Sequence, residues 1–304
     1  MSRTGQELPE LGVVIPTRDR VDRLGETLRA LDEAAAKGEA RLEIIVIDDG
    51  SSAASRRALA DLVAARAGGV PLHVLEQPAL GPATARNRGV AASRAARVLL
   101  LGDDTRPAPG ALAAHRAAAE GQDRAVQGHI DWDPSHEVTP LMDFLAPAGP
   151  QFYFRGLVDG GPVPFTAVLG SNLAAPRGWL LREPFDEGFP HAAVEDTEMA
   201  WRWRRRGWPV IYSRAAVCWH HHRYAELEPF LARQRRAGAS IRHAVARHPR
   251  LAWPLVLQPL AATPVVALRH VLRGGDRQHL RWDLACRRAL FSGVFSGLLR
   301  RLRS

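Results

Sequence analysis

The first hundred residues alternate short apolar runs with longer stretches in which apolar residues recur at helical spacing. The runs lie at 11–16, 42–47, 71–76 and 97–101, and each is followed by polar or turn-forming residues. Short apolar runs with such boundaries are typical of strands that are buried on both faces. The stretches between them are typical of helices, such as 21–37 with Leu24, Leu28 and Leu31 on one face. The alternation predicts an α/β fold with a doubly wound, mostly parallel sheet and helices on both faces.

Polar side chains follow three of these strands, and right-handed crossovers would bring them to one edge of the sheet. They are Thr17, Asp49 and the adjacent pair Asp103-Asp104. Ligands of open α/β sheets bind at this carboxyl edge. Neighbouring carboxylates repel each other unless a cation, a donor or a proton intervenes, and hard oxygen ligands suit Mg²⁺ or Mn²⁺. The acidic pair is therefore a candidate metal site, and the alternative is that it caps the next helix.

The loops after the strands lack both the G-x-G-x-x-G dinucleotide fingerprint and the P-loop. The remaining way to hold a diphosphate is with carboxylates, a metal and arginine. Arg86 opens a helix after Gly81-Pro82 and is placed to meet phosphate oxygens, although a solvated helix face also explains it. Asp49 is placed to accept a hydrogen bond from a nucleotide base. A nucleotidyltransferase is disfavoured, because 16–19 holds no glycine-rich signature.

The composition is that of a soluble globular protein, except for a net charge of +9 that is carried almost wholly by arginine. Genome composition explains this charge, and anionic partners such as phosphates or a lipid surface are the alternative. The cysteines, Cys218 and Cys286, argue against a disulfide scaffold and fit a reducing compartment. No signal peptide is apparent, so we expect a cytoplasmic protein or one that is peripheral at the inner face of the cell membrane.

A second acidic pair, Glu195-Asp196, opens a predicted helix that carries Met199 and Trp203 on its apolar face. Acidic residues often cap helix N-termini, which gives this pair a structural explanation. The chemical alternative is a general base, because an ionised carboxylate removes the proton of a hydroxyl nucleophile. Strands are predicted around it at 125–130, 165–169, 210–212 and 216–219, with a Gly/Pro loop at 156–164 of the kind that covers a site.

Three consecutive histidines follow the last of these strands. Strand alternation places His220 and His222 on one face and His221 on the other. Three histidines at a strand end suggest a function, and a surface histidine cluster is the alternative.

The C-terminal residues form a separate, basic region. A basic helix is predicted at 226–248, and 253–268 is largely apolar, but three prolines make it short of a membrane-spanning helix. After residue 273, apolar runs alternate with arginines up to 303, which is typical of a basic amphipathic helix. This helix either lies on an anionic membrane surface or packs against the catalytic domain or a second subunit.

Four motifs, in this order, resemble those of family-two glycosyltransferases. They are VVIPTR at 13–18, IDDGS at 47–51, GPATARNRG at 81–89 and LGDD at 101–104. Each motif alone is weak, but their order and spacing together make the resemblance specific. It covers roughly residues 11–245 and implies the GT-A fold, nucleotide-diphosphate sugar donors and, for most members, inversion at the anomeric carbon.

The resemblance also implies roles for single residues. The implied nucleotide-sugar residues are Pro16, Thr17, Arg18, Asp48, Asp49, Arg86 and Asp103. The implied ligands of Mn²⁺ or Mg²⁺ are Asp104, Asp103 and His220. The family's metal motif is commonly Asp-x-Asp, whereas Thr105 holds the third position here. Family members with two adjacent acids are similar, with Asp103 near the ribose and Asp104 on the metal.

The remaining implied roles concern the acceptor. Asp196 matches the aspartate base of the family's Glu-Asp motif, and Glu195 would bind or orient the acceptor. Asn172 matches a Gly-x-Asn segment that lies beside the acceptor in the family.

The sequence thus predicts a metal-dependent, inverting glycosyltransferase with a flexible N-terminus at 1–10, a GT-A catalytic domain at 11–225 and a helical, basic extension at 226–304. Its expected partners are a nucleotide-diphospho-sugar and a glycan, lipid-linked or small-molecule acceptor, with no nucleic acid. A protein that binds nucleotide sugars or glycans on the same fold but has lost catalysis is the alternative.

Overall fold

The computed structural model describes residues 8–66, 68–147, 149–272 and 276–301, and over these residues the chain folds around an eight-stranded sheet. The strand order is β3-β2-β1-β4-β7-β6-β8-β5. The strands are β1 (Leu11–Thr17), β2 (Leu42–Asp49), β3 (Leu72–Gln77), β4 (Arg97–Leu101), β5 (Thr105–Pro107), β6 (Ala125–Trp132), β7 (Asn172–Pro176) and β8 (Val210–His220). The predicted flexible N-terminus lies outside the described residues up to residue 7.

The first four strands form a parallel half-sheet, and the remaining four form a mixed one. β1 pairs in parallel with β2 and β4, and β2 pairs with β3. β7 runs antiparallel to both β4 and β6, whereas β6 and β8 are parallel. Among the described strands, four of the seven pairings are therefore parallel, and the predicted α/β architecture is confirmed.

The helices cover both faces of this sheet. They are α1 (Val21–Ala36), α2 (Ala53–Ala65), α3 (Pro82–Ala92), α4 (Ala111–Ala119), α5 (Pro140–Leu145), α6 (Arg177–Arg182), α7 (Glu195–Arg205), α8 (Glu228–Arg247), α9 (Gln258–Leu272) and α10 (Arg277–Arg301). Local chemistry fixes several starts. Ser52 caps α2 by accepting a hydrogen bond from the Ser55 N–H, and α3 begins with a proline, which has no N–H to leave unpaired.

Strand alternation distributes the core between the two faces. Val13 and Ile15 of β1 pack with Leu28 of α1 on one face. Val14 of the same strand packs on the other face, in the cluster that holds Trp203 of α7. Both faces are buried, which explains why the sequence shows continuous apolar runs there instead of alternation.

Three predicted strands of the second half differ from the structure. The segment 165–169 is a single 3₁₀ turn (Phe165–Ala167), and the predicted strands 210–212 and 216–219 are one strand, β8. A register shift in the pairing with β6, between Gly128 and His129, accommodates the polar and charged middle of β8. A bulge of this kind lets a strand continue across residues that interrupt its apolar pattern.

Within the C-terminal extension α10 packs on α8, and it also reaches α5 of the preceding domain. This helix crosses α8 so closely that a Cβ on Gly238 would lie 2.1 Å from the Leu290 carbonyl oxygen. Trp282 of α10 also stacks obliquely on Phe144, with ring centroids 5.5 Å apart. Of the two interpretations of this basic helix, packing on the catalytic domain is what its described part shows, and 302–304 lie outside the described residues.

The apolar segment before α10 is longer than the sequence analysis predicted. Pro249–Leu268 is one helical stretch of 20 residues with a mean hydropathy of 1.6, and 17% of it is buried. The expectation that prolines make it too short for a span is wrong, because a π-helical turn (Trp253–Leu257) carries the chain past Pro254 and α9 continues through Pro264. By length and composition alone, such a stretch is weak evidence for a membrane span.

Candidate active site

The strand register brings the predicted polar groups to one edge of the sheet. Thr17 at the end of β1 pairs with Asp48 of β2, and Leu101 at the end of β4 pairs with Asn172 at the start of β7. The loop after β4, which holds Asp103-Asp104, therefore leaves the sheet beside the loop that enters β7. This is the carboxyl edge of the parallel half, where ligands of α/β sheets bind.

The Asp103-Asp104 pair lies between a hydroxyl group and two arginines. Thr17 Oγ1 donates to Asp103 Oδ2 at 2.9 Å. The guanidinium of Arg20 bridges the pair, with Nη1 at 3.3 Å from Asp103 Oδ1 and 3.1 Å from Asp104 Oδ2. Arg23 Nη1 lies 3.9 Å from Asp104 Oδ2. The pair does not cap a helix, because β5 follows it directly and α4 begins only at Ala111.

These surroundings split the pKa values of the two carboxyls. Burial, and then the charge of Asp104, raise the pKa of Asp103 to about 6. Burial also acts to raise the pKa of Asp104, but the interactions with His220 and then with Arg20 outweigh burial and hold its pKa below the ordinary value. Asp104 therefore keeps its charge to lower pH than Asp103 does, and a carboxylate that binds a metal has to be ionised.

His220 lies beside Asp104 because β8 pairs with β5, with Thr105 opposite His220. Its Nε2 is 3.7 Å from Asp104 Oδ2, and burial lowers its pKa to about 4, so the imidazole is neutral at pH 7. His222 lies on the same side, against Arg23. His221 turns away toward Asp133 and Glu26, as strand alternation predicts.

The residues present can supply only some of the ligands of a divalent cation. Among the described residues, no group of three or more His, Cys, Asp or Glu side chains is arranged to hold a metal. Asp104 and the neutral His220 offer an oxygen and a nitrogen ligand, with Asp103 alongside. Mg²⁺ and Mn²⁺ sites of enzymes are commonly completed by water and substrate phosphates, so two or three protein ligands suffice. The bridging Arg20 shows that this position already attracts a positive charge.

Asp48 and Asp49 are the carboxylates that were predicted to bind the nucleotide. They form more hydrogen bonds within the protein than the sequence analysis predicted. Asp49 Oδ1 accepts from Gln77 Nε2 and from the N–H groups of Leu80 and Gly81, at 2.8 to 3.1 Å. It thus builds the turn that starts α3, and a base N–H would have to share its Oδ2 with Gly81. Asp48 is buried, and its Oδ1 accepts from the Ser51 N–H whereas its Oδ2 has no partner.

An open cleft of about 590 Å³ adjoins this edge, between the N-terminal ends of α1 and α2. It is lined by Asp19, Arg20, Val21, Asp22, Arg23, Ala54, Ser55, Ala58 and His222. Asp19 joins the two loops at its base, since its N–H donates to Ser51 Oγ and its Oδ1 accepts from the Ser52 N–H. The exposed Arg18 belongs to the same β1–α1 connection, and Pro16 lies just before it in β1. The cleft has the volume of an ordinary small-molecule site.

The second acidic pair meets residues from both halves of the sheet. Arg86 Nη1 lies 3.0 Å from Glu195 Oε1, and both side chains are buried. Burial, followed by the charge of Asp196, raises the pKa of Glu195 above its ordinary value, while Arg86 opposes the shift. The predicted diphosphate residue and the predicted acceptor residue are therefore directly paired.

Asp196 has a fixed orientation at the first turn of α7. Its Oδ2 accepts from the Gly170 N–H at 3.1 Å, and its Oδ1 accepts from the Thr197 N–H at 2.8 Å. Val194, just before the helix, has φ 75°, a left-handed backbone that β-branched residues rarely adopt. Val194 packs against the apolar cluster around α7, which holds this strained entry in place.

The structure places the Asn172 side chain inside the sheet, and its acceptor role stays a prediction. Its amide is fully buried, and Nδ2 donates to the carbonyl oxygens of His129 and Ala216 at 2.9 Å. Its Oδ1 bonds to His115 Nε2 at 2.8 Å. The side chain thus joins β7 to its neighbours.

Arg20 and Arg23 are site residues that the sequence analysis missed. The available signal was their position: both lie in the β1–α1 connection or the first turn of α1, next to a predicted acidic pair. Helix periodicity alone does not show which exposed arginines turn toward the sheet edge.

The parallel half-sheet with an acidic pair after its fourth strand, extended by a mixed half that carries a second acidic pair, defines the GT-A class of glycosyltransferase folds. The model of the family "Glycosyl transferase family 2" matches residues 12–154. This segment, a little under half of the chain, is thus similar to that family, as its motifs predicted.

Two curated relatives are the pre-mycofactocin glycosyltransferases of Mycobacterium tuberculosis strains CDC 1551 and H37Rv, each 28% identical over 269 residues. The alignments cover 84% of this chain and 51% of each relative, so the chain spans about half the length of the curated relatives it matches.

Solved structures share the fold. The mannosyltransferase PcManGT from Pyrobaculum calidifontis, in complex with GDP-Man and Mn²⁺, has a TM-score of 0.64 at 18% identity, over 96% of this chain and 88% of that chain. GalNAc-T7 with UDP, GalNAc and Mn²⁺ has a TM-score of 0.54 at 16% identity, over 72% of this chain and 44% of that chain.

Proposed function

We propose that this chain transfers a sugar from a nucleoside-diphosphate sugar to a hydroxyl acceptor, with inversion, and that Asp196 is the general base. The observation that carries the proposal is the hydrogen bond from the Gly170 N–H to Asp196. Gly170 lies two residues before Asn172, which pairs with Leu101, and Asp103 lies two residues after Leu101. The two acidic pairs are thus attached to adjoining ends of the neighbouring strands β4 and β7, which supports a shared site for donor and acceptor.

The donor side of the proposal rests on the parallel half of the sheet. Asp104 and His220, with Asp103 beside them, are the residues that would hold Mn²⁺ or Mg²⁺. When bound, the cation neutralises charge that grows on the departing diphosphate. Arg20 and Arg23 add fixed positive charge at the same place, and the cleft between α1 and α2 accommodates the nucleoside.

The chemical step needs one base and one leaving group. The acceptor hydroxyl gives its proton to the Asp196 carboxylate while its oxygen bonds to the anomeric carbon. The bond from that carbon to the diphosphate oxygen breaks, and its electron pair leaves with the nucleoside diphosphate. Attack opposite the leaving group inverts the anomeric configuration. The Gly170 and Thr197 N–H groups hold the carboxylate in place, and Glu195 fixes Arg86 beside it.

The related proteins support the donor class without choosing the sugar. The solved neighbours are named in complex with GDP-Man or with UDP and GalNAc, and each complex contains Mn²⁺. The curated relatives are named pre-mycofactocin glycosyltransferases. We therefore propose a nucleotide-diphospho-sugar donor and a hydroxyl acceptor, and no narrower substrate.

The test compares the purified parent chain with Asp196→Asn for hydrolysis of UDP- and GDP-sugars to free sugar, with Mn²⁺ present. We expect a loss of about 10³-fold in rate, because the amide accepts no proton. Nucleoside-diphosphate binding, measured by calorimetry, should be unchanged. Glu187→Gln, an exposed carboxylate near the same helix, is the matched control and should keep the parent rate.

Two results would contradict the proposal. Equal rates for the parent and Asp196→Asn would refute the base assignment. A parent chain that binds nucleoside diphosphates with Mn²⁺ but cleaves no nucleotide sugar would favour the alternative of a binding protein on this fold.

A further inference from the structure

The charge of this chain is concentrated in its C-terminal extension. Residues 226–304 contain 15 arginines against four acidic residues, a net charge of +11. Because the whole chain carries +9, residues 1–225 sum to −2. Genome composition would enrich arginine throughout the chain and does not explain this separation of charge.

The same region exposes apolar side chains to solvent. Trp253 is 64% exposed, and Leu260, Val265 and Leu268 of α9 are 43%, 54% and 58% exposed. Arginines precede and follow this segment in the chain, with Arg250, Arg277 and Arg281 all exposed. An apolar surface bordered by positive charge has the chemistry of an interfacial helix on an anionic lipid surface.

The packing of both ends decides whether the segment crosses a bilayer or lies on it. Leu251, Leu255 and Val256 are buried in the core cluster around α7, so the start of the segment is anchored to the protein body. After it, α10 packs back along α8. Residues 257–272 form about 24 Å of helix, which is shorter than a hydrocarbon core of about 30 Å. This part also touches the protein, because Arg287 Nη1 of α10 donates to the Pro259 carbonyl oxygen at 3.3 Å.

We propose that α9 and the arginines around it dock this protein on one face of an anionic lipid bilayer, as an interfacial helix that does not span it. A second copy of the chain is a poorer occupant of the same surface, because two regions of net charge +11 would face each other. The proposal does not depend on the identity of the transferred sugar or on the assignment of Asp196.

The experiment is sedimentation of the full chain with vesicles of phosphatidylcholine alone or mixed with phosphatidylglycerol. We expect binding to the anionic vesicles that weakens as salt is raised, because the arginine contribution is screened. The double variant L260E/L268E should bind about tenfold more weakly, since two charges enter the inserted face. R277Q/R281Q should bind roughly tenfold more weakly to anionic vesicles and keep any residual binding to neutral ones.

The matched control is V138E/L181E, which adds the same two charges at apolar side chains of the catalytic domain that are 47% and 46% exposed. It should bind vesicles as the parent chain does. The proposal is overturned if the parent chain does not sediment with anionic vesicles, or if L260E/L268E binds like the parent. It is also overturned if light scattering shows a dimer that L260E/L268E dissociates while vesicle binding is unchanged, because the face would then be an interface between copies.

Discussion

The parallel half of the sheet (β1 to β4) and the mixed half (β5 to β8 with α7) build their parts of the site in different ways. In the parallel half, Thr17 and Asp49 are the last residues of their strands and Asp103 follows its strand after one glycine, so each position follows from the end of a strand. In the mixed half, Asp196 is oriented by Gly170 and Glu195 is paired with Arg86, 109 residues away in sequence. Strand ends therefore fix one half of the site, and contacts between distant segments fix the other.

The largest expected effect concerns the parallel half. Asp104→Asn should lower nucleotide-sugar cleavage about 10³-fold, because the ionised ligand for a divalent cation is lost. Manganese binding by electron paramagnetic resonance should weaken in parallel, with an unchanged circular dichroism spectrum. Asp131→Asn, a carboxylate at the end of β6, is the control. Activity of Asp104→Asn near the parent level would show that this strand end does not define the site.

The link between the halves is tested next by Arg86→Met. Removing one partner of a buried ion pair leaves the Glu195 carboxyl unpaired, and we expect a loss of about 4 kcal/mol of unfolding free energy. Urea denaturation measures this loss. R86M/E195M should recover most of it, because both charges are then absent. If Arg86→Met alone were as stable as the parent, the ion pair would not hold the halves together.

His115, a buried histidine in the mixed half, should make the free energy of unfolding depend on pH. Burial lowers the pKa of His115 to about 4, whereas the unfolded chain titrates near 6.5. The unfolded state therefore binds the proton first as pH falls, and stability is lost between about pH 6.5 and 4, by about 3 kcal/mol. Urea unfolding at several pH values measures the slope. His115→Gln keeps a polar partner for Asn172 but cannot titrate in this range, so its slope should be shallower than that of the parent; equal slopes would contradict the assignment.

The smallest effect concerns the extension. Gly238→Ala places a Cβ 2.1 Å from the Leu290 carbonyl oxygen at the crossing of α8 and α10, and we expect a loss of about 2 kcal/mol. Thermal unfolding measures it. Gly178→Ala is the control, because nothing lies within 4 Å of its Cβ position. Equal melting temperatures for the two variants would mean that α10 packs more loosely than the structure shows.

The same division explains how much could be predicted from the sequence. The parallel strands and their polar ends were predictable, because strands that are buried on both faces appear in the sequence as continuous apolar runs. The position of the Asn172 side chain was not predictable. Its amide donates to carbonyl groups of two other strands, and these contacts depend on the register of the mixed half. β5 has three residues, too few for a periodic pattern. The helix through Pro254 and Pro264 was missed because proline usually ends helices, whereas here a π-helical turn accommodates Pro254.

Val194 has a consequence for how the site responds to change. A glycine at this position would adopt φ 75° without steric conflict and would relieve roughly 1 kcal/mol. Glycine would also allow many other backbone conformations at the start of α7. Valine restricts the backbone conformation at the start of α7. The side chains of Glu195 and Asp196 therefore have a fixed orientation before a substrate binds. Local backbone strain at Val194 thus accompanies a fixed orientation of the two acidic side chains.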